Sequence, residues 1–189
     1  MRITRLIVGL GNIGDKYANT RHNAGFIFVK RLALKLVKSG FEAAGWENDK
    51  YLKSSVNKLT AGNKTYVLAK PATMMNLSGI AVKNLTERYG VASRELTLVY
   101  DDLDIELGKH KISERKSPRD HNGVNDVIKA LGHSDLTHIR IGIDNRPNNT
   151  DGARIPGEKY VLQKFSEDEL VTLYTNIDDI ISEMNLKRR

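Results

Sequence analysis

Three segments of the sequence are rich in side chains that can activate or position a water molecule. They are Asn12 with residues 20–23, residues 75–79, and Asp101 with residues 121–123. Together they offer an imidazole, a carboxylate and several amides. Imidazole is a general base near neutral pH because its unperturbed pKa is about 6.5. A carboxylate on its other nitrogen fixes the tautomer, and carboxamides can hold a carbonyl oxygen as negative charge develops. This set of groups suits the hydrolysis of an ester.

The composition narrows the chemistry further. The chain has 189 residues and no cysteine, which excludes thiolate nucleophiles, thiolate metal sites and disulfides. Its length fits a single domain spanning residues 1–189. The apolar run at residues 6–10 is too short for the core of a signal peptide, and no segment approaches the length of a membrane span. We therefore expect a cytoplasmic protein that does not enter the membrane.

Positive charge favours an anionic partner such as a nucleic acid. The chain carries 30 Lys and Arg against 23 Asp and Glu, a formal charge of +7. Residues 109–119 are strongly basic and directly precede His121, and Lys111 belongs to this run. Such a run is often only a solvated face. Beside a catalytic loop, however, it would bind RNA phosphates.

Strand and helix signals alternate along most of the chain. Apolar runs predict strands at residues 6–10, 96–100 and 138–143, and a hairpin turns at residues 61–63. Helical spacing predicts four helices. They begin at Ala24, after Ser78 as the N-cap, near Val124, and at a capping box over residues 166–169. We expect the strand at residues 96–100 to be broken by the acidic residues that follow. The pattern predicts an α/β fold, with a mixed, mostly parallel sheet covered by helices on both faces.

A glycine motif at residues 9–14 has the G-x-G-x-x-G spacing of a dinucleotide-binding turn. That motif requires a helix that opens at the glycines, whereas the helical pattern here starts near Ala24. It also requires an acid about 20 residues further on, but no Asp or Glu lies between Asp15 and Glu42. These differences disfavour a nicotinamide oxidoreductase.

Taken in order, many segments resemble bacterial-type peptidyl-tRNA hydrolase, and so many ordered matches are more specific than any single motif. The matching positions are residues 6–12, Tyr17, residues 20–23, 70–71 and 75–79, Asp101, residues 103–104, 121–123 and 140–143. The resemblance implies a three-layer α/β/α sandwich, monomeric and without cofactor or metal, that hydrolyses the ester of peptidyl-tRNA.

The resemblance also implies roles for single residues. His22 is the general base that activates water, Asp101 orients it, and Asn12 lies beside the scissile bond and helps to recognise an acylated α-amino group. The residues implied in binding the peptide, the terminal nucleotide or tRNA phosphate are Tyr17, Asn23, Met74, Met75, Asn76, Asn122 and Arg140, and Lys111 joins them from the basic run.

Several of these residues have simpler interpretations. Asp101, Asp102 and Asp104 could form a solvated acidic turn or a divalent-cation site, and Arg140 could form a surface ion pair. Further alternatives are helix capping by Asn76 and Ser78, of which we expect Ser78 to be only a cap, core filling by Met74 and Met75, and structural roles for His110, His133 and His138.

The sequence departs from the family pattern mainly at residues 113–120, which are charged where many members are rich in glycine. Other departures are Ile13, Met74, Tyr100, Asp144 and Asn145. None removes a proposed catalytic group. The rival hypothesis is a noncatalytic RNA-binding protein on the same scaffold, such as a splicing factor, and the presence of His22, Asp101 and the amides favours the enzyme.

Overall fold

The computed structural model describes residues 3–114, 121–146 and 154–184. Its strands are β1 (Ile3–Gly9), β2 (Glu42–Ala43), β3 (Glu47–Asp49), β4 (Ser54–Ala61), β5 (Lys64–Pro71), β6 (Leu96–Glu106), β7 (His110–Glu114) and β8 (Thr137–Asp144). Its helices are α1 (Ala24–Lys38), α2 (Ser78–Tyr89), α3 (Asn122–Leu131), α4 (Gly157–Tyr160) and α5 (Glu167–Glu183). Short 3-10 turns occur at Asp15–Tyr17, Arg21–Asn23, Met75–Leu77 and Ser93–Glu95.

The strands form one mixed sheet in the order β2-β4-β5-β1-β6-β8-β7, with β3 paired to β4. The four central strands, β5, β1, β6 and β8, run parallel. The flanking pairs, β4 with β5 and β7 with β8, are antiparallel. The predicted hairpin is the β4–β5 pair, and it turns at Gly62, whose φ of +57° suits glycine. The carboxyl ends of the central strands therefore meet at one edge of the sheet, where sites form in such folds.

Helices cover both faces of the sheet and confirm the predicted sandwich. Successive residues of β1 point to opposite faces, so Ile7 packs with α1 and α5, while Leu6 and Val8 pack with α2 and α3. Burying one such aliphatic side chain fully contributes about 1.5–3 kcal/mol. The two apolar layers thus hold the parallel strand ends in place.

The glycine motif serves close packing between β1 and α1. A Cβ atom on Gly9 would lie 2.1 Å from the carbonyl oxygen of Gly25, and one on Gly25 would lie 2.3 Å from the carbonyl oxygen of Val99. Helix α1 begins at Ala24, well beyond the glycines. The glycines therefore allow backbone to meet backbone and do not open a helix.

The prediction that the strand ends at Tyr100 is wrong, because β6 continues through Asp101 and Asp102 to Glu106. Both aspartates are buried and are paired to side chains from other elements. A local pattern of acidic residues cannot reveal these partners. Part of the basic run forms the edge strand β7, which the sequence analysis missed, and residues 115–120 lie outside the described residues.

The prediction that Ser78 is the N-cap of α2 is also wrong. Ser78 is the first residue of the helix and is fully buried, and its hydroxyl donates to the carbonyl of Met75. The free N–H of Gly79 donates instead to the Asp126 carboxylate of α3 at 2.6 Å. The neighbouring helix thus supplies the cap of α2. At α5 the predicted capping box between Ser166 and Glu169 is present.

No helix within the described ranges is both long and apolar enough to cross a membrane.

Candidate active site

His22 and Asp101 meet at the carboxyl edge of the sheet. The turn Arg21–Asn23 carries His22, and β6 carries Asp101. The Nδ1 atom of His22 lies 2.9 Å from one Asp101 carboxylate oxygen and 3.0 Å from the other. Since a carboxylate can only accept, Nδ1 carries the proton, and Nε2 remains free to accept one. Nε2 makes no hydrogen bond to the described part of the chain.

His121 is a second histidine on the same carboxylate, and its role was not foreseen from the sequence. Its Nε2 lies 3.2 Å from Asp101, while its Nδ1 accepts the backbone N–H of Val124 at 3.3 Å. That second bond assigns the ring proton to Nε2, which therefore donates to Asp101. The His22 and His121 rings lie 5.2 Å apart. Asp101 thus accepts hydrogen bonds from two imidazoles.

The pKa values of the pair follow from this geometry. Burial would raise the pKa of Asp101, but the charge of His22 and the hydrogen bonds from His121 and His22 outweigh it, and the pKa falls well below its usual range. Burial would lower the pKa of His22, yet the Asp101 charge and hydrogen bond raise it above 6.5 overall. Asp101 therefore stays ionised at neutral pH and stabilises the imidazolium form of His22.

The turn that carries His22 is fastened to a distant part of the chain. The backbone N–H of His22 donates to the carbonyl of Val161 at 2.8 Å, and that of Arg21 donates to the carbonyl of Gln163 at 3.0 Å. The buried Arg21 guanidinium forms a 2.6 Å ion pair with Glu169 and stacks over the ring of Tyr160. The position of the base therefore depends on the segment between α4 and α5.

A cleft of about 370 Å³ opens beside the pair. It is lined by His22, Asp101, Asp102, Leu103, Asp104, His121, Asn122, Arg146, Gly157, Glu158 and Val161. Of the amides implied by the resemblance, Asn122 lines this cleft. The contribution of Arg146 was missed because its position follows from an ion pair with Asp144 and a bond to the Ile155 carbonyl.

Asn12 is held rigidly by two neighbours. The amide side chain of Asn23 accepts the backbone N–H of Asn12 at 2.8 Å and donates to the Asn12 carbonyl at 3.0 Å. The side-chain oxygen of Asn12 accepts the N–H of Met75 at 2.8 Å. Both polar atoms of the Asn23 side chain thus bond to the backbone of Asn12, and the NH₂ group of Asn12 remains as a donor.

Met75 connects Asn12 to the segment of His121. A Cβ atom on Gly123 would lie only 2.5 Å from the Met75 sulfur, so the buried Met75 side chain packs directly on this glycine. Next to it, Met74 and Asn76 are exposed. Tyr17 is half-buried under the ammonium of Lys16, which lies 4.8 Å from its ring centre, and it does not line the cleft beside His22.

Arg140 and Lys111 lie side by side in register on β8 and β7. The Nε of Arg140 donates to the buried Asp102 carboxylate, so the ion pair considered from the sequence is present. Lys111 is exposed. The two cations lie at the β7 edge of the sheet, and neither lines the cleft beside His22.

The remaining histidines form local contacts away from the cleft. His138 is buried against the Tyr100 hydroxyl at 3.0 Å, and its burial lowers its pKa to about 4. His110 contacts Asn176 and Glu183, and His133 contacts Ser93.

The histidine pair with Asp101 could also hold a metal ion. One ligand atom from each of His22, Asp101 and His121 lies within 4.8 Å of the others. A bound cation would have to displace the ring protons that join both histidines to Asp101. The cluster is therefore competent for either arrangement, and its hydrogen bonds match a base with an orienting carboxylate.

Comparison with known proteins identifies the family of this chain. The sequence profile described as "Peptidyl-tRNA hydrolase" matches residues 6–187. The peptidyl-tRNA hydrolase of Thermotoga maritima is 36% identical over 168 residues, which cover 89% of this chain and 82% of that protein. This chain belongs to the peptidyl-tRNA hydrolase family. The family's protein from Thermotoga sp. strain RQ2 gives the same identity and coverage.

Solved structures of the family have the same fold. The crystal structure of peptidyl-tRNA hydrolase from Acinetobacter baumannii superposes with a TM-score of 0.81 at 31% identity, covering 97% of this chain and 87% of that one. A structure of peptidyl-tRNA hydrolase in complex with N-propanol gives the same TM-score and coverage at 30% identity.

Proposed function

We propose that this chain hydrolyses the ester bond of peptidyl-tRNA, with His22 as the general base. The observation that carries the proposal is the pairing of His22 Nδ1 with the buried Asp101 carboxylate, at 2.9 Å, beside an open cleft. This pairing leaves Nε2 as the nitrogen that takes a proton. Membership of the peptidyl-tRNA hydrolase family identifies the substrate, and the geometry of His22 and Asp101 supports the role of His22 as the base.

The reaction proceeds by attack of water on the ester carbonyl. His22 Nε2 removes a proton from water as the oxygen forms its bond to the carbonyl carbon. Asp101 stabilises the resulting imidazolium by its negative charge. The tetrahedral intermediate collapses when the bond to the ribose oxygen breaks, and the imidazolium returns its proton to that oxygen. The products are free tRNA and the peptide acid, which releases a proton to solvent and becomes a carboxylate, and no step requires a cofactor.

The amides hold the substrate during this sequence. The NH₂ group of Asn12 is free to donate because its oxygen is bound to Met75 N–H, and it contacts the acylated end of the substrate. Asn122 lines the cleft and, with the exposed Asn76, positions peptide and water. Amide donors aimed at a carbonyl oxygen stabilise the charge that develops on it.

The tRNA partner fits the charge of the molecule. Arg140 and Lys111 lie next to each other on β8 and β7 and contact tRNA phosphates, while Tyr17 and Met74 line the path of the terminal nucleotide and peptide. We take residues 1–189 as one domain that acts as a monomer in the cytoplasm, where its substrate arises.

The decisive experiment follows release of free tRNA from an N-acylated aminoacyl-tRNA. The parent should turn over, and His22→Ala should reduce kcat/KM by about a hundredfold or more, the usual contribution of a general base. His133→Ala, which removes an exposed histidine that contacts Ser93, should keep parental activity.

Two outcomes would contradict the proposal. A His22→Ala variant that retains parental turnover removes His22 from the chemistry. A parent that binds the acylated tRNA but never releases the acyl group supports the noncatalytic RNA-binding alternative.

A further inference from the structure

A second cleft, of about 430 Å³, lies next to Asn12. Asn12 and Asn23 line it, and it shares no lining residue with the cleft at His22. Lys30 enters it from α1 and Lys70 from the end of β5. We call this second cleft the lysine pocket. It adjoins the amide that the proposed function places at the scissile bond.

Among its lining residues the pocket places two lysines beside one carboxylate, that of Asp15. Neither lysine forms an ion pair with a carboxylate within the ranges that the structure describes. Lys70 is half-buried, and its ammonium lies 4.2 Å from the ring centre of Trp46. Burial, together with the charge of Lys30, lowers the pKa of Lys70 to about 8. The two ammonium groups therefore repel each other, and an anion bound in the cavity would neutralise their charge.

The other walls supply donors and one opposing charge. Asn48 and Ser55 offer an amide and a hydroxyl, which can complete the coordination of an oxyanion. Asp15 is the lining residue that carries negative charge, and it lies on the exposed turn before α1. Its carboxylate opposes anion binding without cancelling the two lysines.

We propose that the lysine pocket binds a backbone phosphate of single-stranded RNA, at the 3′ end of the substrate tRNA. This inference rests on the proposed function, because only a tRNA ester at Asn12 brings such phosphates next to the pocket. Lysine ammonium groups bind phosphate as point charges. The indole of Trp46 beside Lys70 also combines an aromatic face with a cation, as sites for single-stranded nucleic acid do. An acidic peptide offers carboxylates but no base to stack.

Binding can be measured without catalysis. Trp46 is the single tryptophan of the chain, so its fluorescence reports on the pocket. The full-length protein is titrated with the trinucleotide CCA, with inorganic phosphate and with acetylated triglutamate. We expect saturable binding of CCA that is at least tenfold tighter than binding of phosphate or triglutamate.

Charge variants then locate the ligand. Lys30→Glu is the decisive variant because Lys70, and not Lys30, stacks on Trp46, and it should weaken CCA binding at least tenfold. Lys70→Met should weaken it similarly by calorimetry, which does not depend on the indole. Asp15→Asn should tighten binding severalfold. Lys83→Met, an exposed lysine on α2, is the matched control and should change nothing.

The outcomes separate this inference from the proposed function. Unchanged CCA affinity in Lys30→Glu, with its fold verified by circular dichroism, overturns the inference even if the parent hydrolyses acylated tRNA. Phosphate binding as tight as CCA binding, or triglutamate binding that is tighter, overturns the RNA assignment. A parent without hydrolase activity whose CCA binding still requires Lys30 overturns the proposed function and leaves the phosphate site in place.

Discussion

At the scale of single residues, Asp101 is the centre of the site. Its two oxygens accept from His22 and from His121, and it is almost fully buried. Removing a single partner from such an arrangement leaves a buried group without its hydrogen bond, which costs about 1–3 kcal/mol. The carboxylate therefore sets both the tautomer and the basicity of His22.

This arrangement predicts how the pH dependence of hydrolysis changes in Asp101→Asn. The base must be neutral to act, so kcat/KM should rise with pH through the pKa of His22, which lies above 6.5 in the parent. Without the Asp101 charge only the effect of burial remains, and the pKa should fall below 6.5. The acid limb should therefore move to lower pH, while the plateau drops at least about tenfold, because the imidazolium loses its counter-charge.

A pH–rate profile of the acylated tRNA substrate measures both effects. Asp104→Asn, which removes a carboxylate from the same cleft without touching His22, should leave the acid limb in place. An acid limb that does not shift in Asp101→Asn would show that another group governs the rate.

The residue types indicated the chemistry of the site, but the sequence did not indicate which side chains contact one another. The residue types favoured hydrolysis of an ester, and the resemblance to the family implied the roles of His22, Asp101 and Asn12. The bond from His121 to Asp101 spans 20 residues and that from Asn12 to Met75 spans 63. No local pattern encodes such contacts, so the bonds between Asn23 and Asn12, and Asp102 as the partner of Arg140, became visible only in three dimensions.

At the scale of elements, the start of α2 shows how neighbouring segments complete each other. The Asp126 carboxylate of α3 accepts the N–H of Gly79, and a Cβ atom on Gly79 would lie 2.4 Å from the carbonyl oxygen of Asp126. The two helices therefore meet at a glycine, and the acid of one caps the other. A negative charge at a helix N-terminus also interacts favourably with the helix dipole.

Asp126→Ala should lower the free energy of unfolding by about 1 kcal/mol, the usual cost of losing an N-terminal cap. Urea denaturation followed by circular dichroism measures the change. Asp179→Ala, on the exposed face of α5, gains the same helix propensity without losing a cap and should be neutral or slightly stabilising. Equal stability of the two variants would contradict the capping role of Asp126.

Elements with a clear periodic pattern of apolar residues or a clear turn motif were predicted correctly. Elements that depend on contacts with distant segments were not. Helix α1, the β4–β5 hairpin and the capping box of α5 follow from spacing and turn residues. Strand β6 extends past Tyr100 because Asp101 pairs with the imidazole of His22 and Asp102 pairs with the guanidinium of Arg140. Strand β7 was missed because its polar residues show no apolar alternation and pair only with β8.

At the scale of the whole molecule, excess positive charge should govern the encounter with tRNA. The formal charge is +7, and Lys111 on the edge strand β7 is the neighbour of Arg140 on β8. Neutralising phosphates releases counterions, so binding weakens as salt increases.

The dissociation constant for tRNA should rise at least roughly tenfold between about 50 mM and about 200 mM salt. Lys111→Ala should reduce the slope by about one phosphate contact. Lys58→Ala removes an exposed charge from β4, towards the opposite edge of the sheet, and should leave the slope unchanged. Filter binding of labelled tRNA gives both slopes. A dissociation constant that does not change with salt concentration would rule out the phosphate contacts.

The fastening of the His22 turn to Val161 and Gln163 has a consequence for how the protein is made. The base sits near the amino terminus, but the carbonyls that fix its backbone belong to a stretch that leaves the ribosome more than a hundred residues later. A nascent chain that already contains His22 and Asp101 therefore still lacks two backbone hydrogen bonds that hold the turn of His22. The catalytic centre is therefore complete only after residues 161–163 have been synthesised and have folded against the turn at Arg21–Asn23.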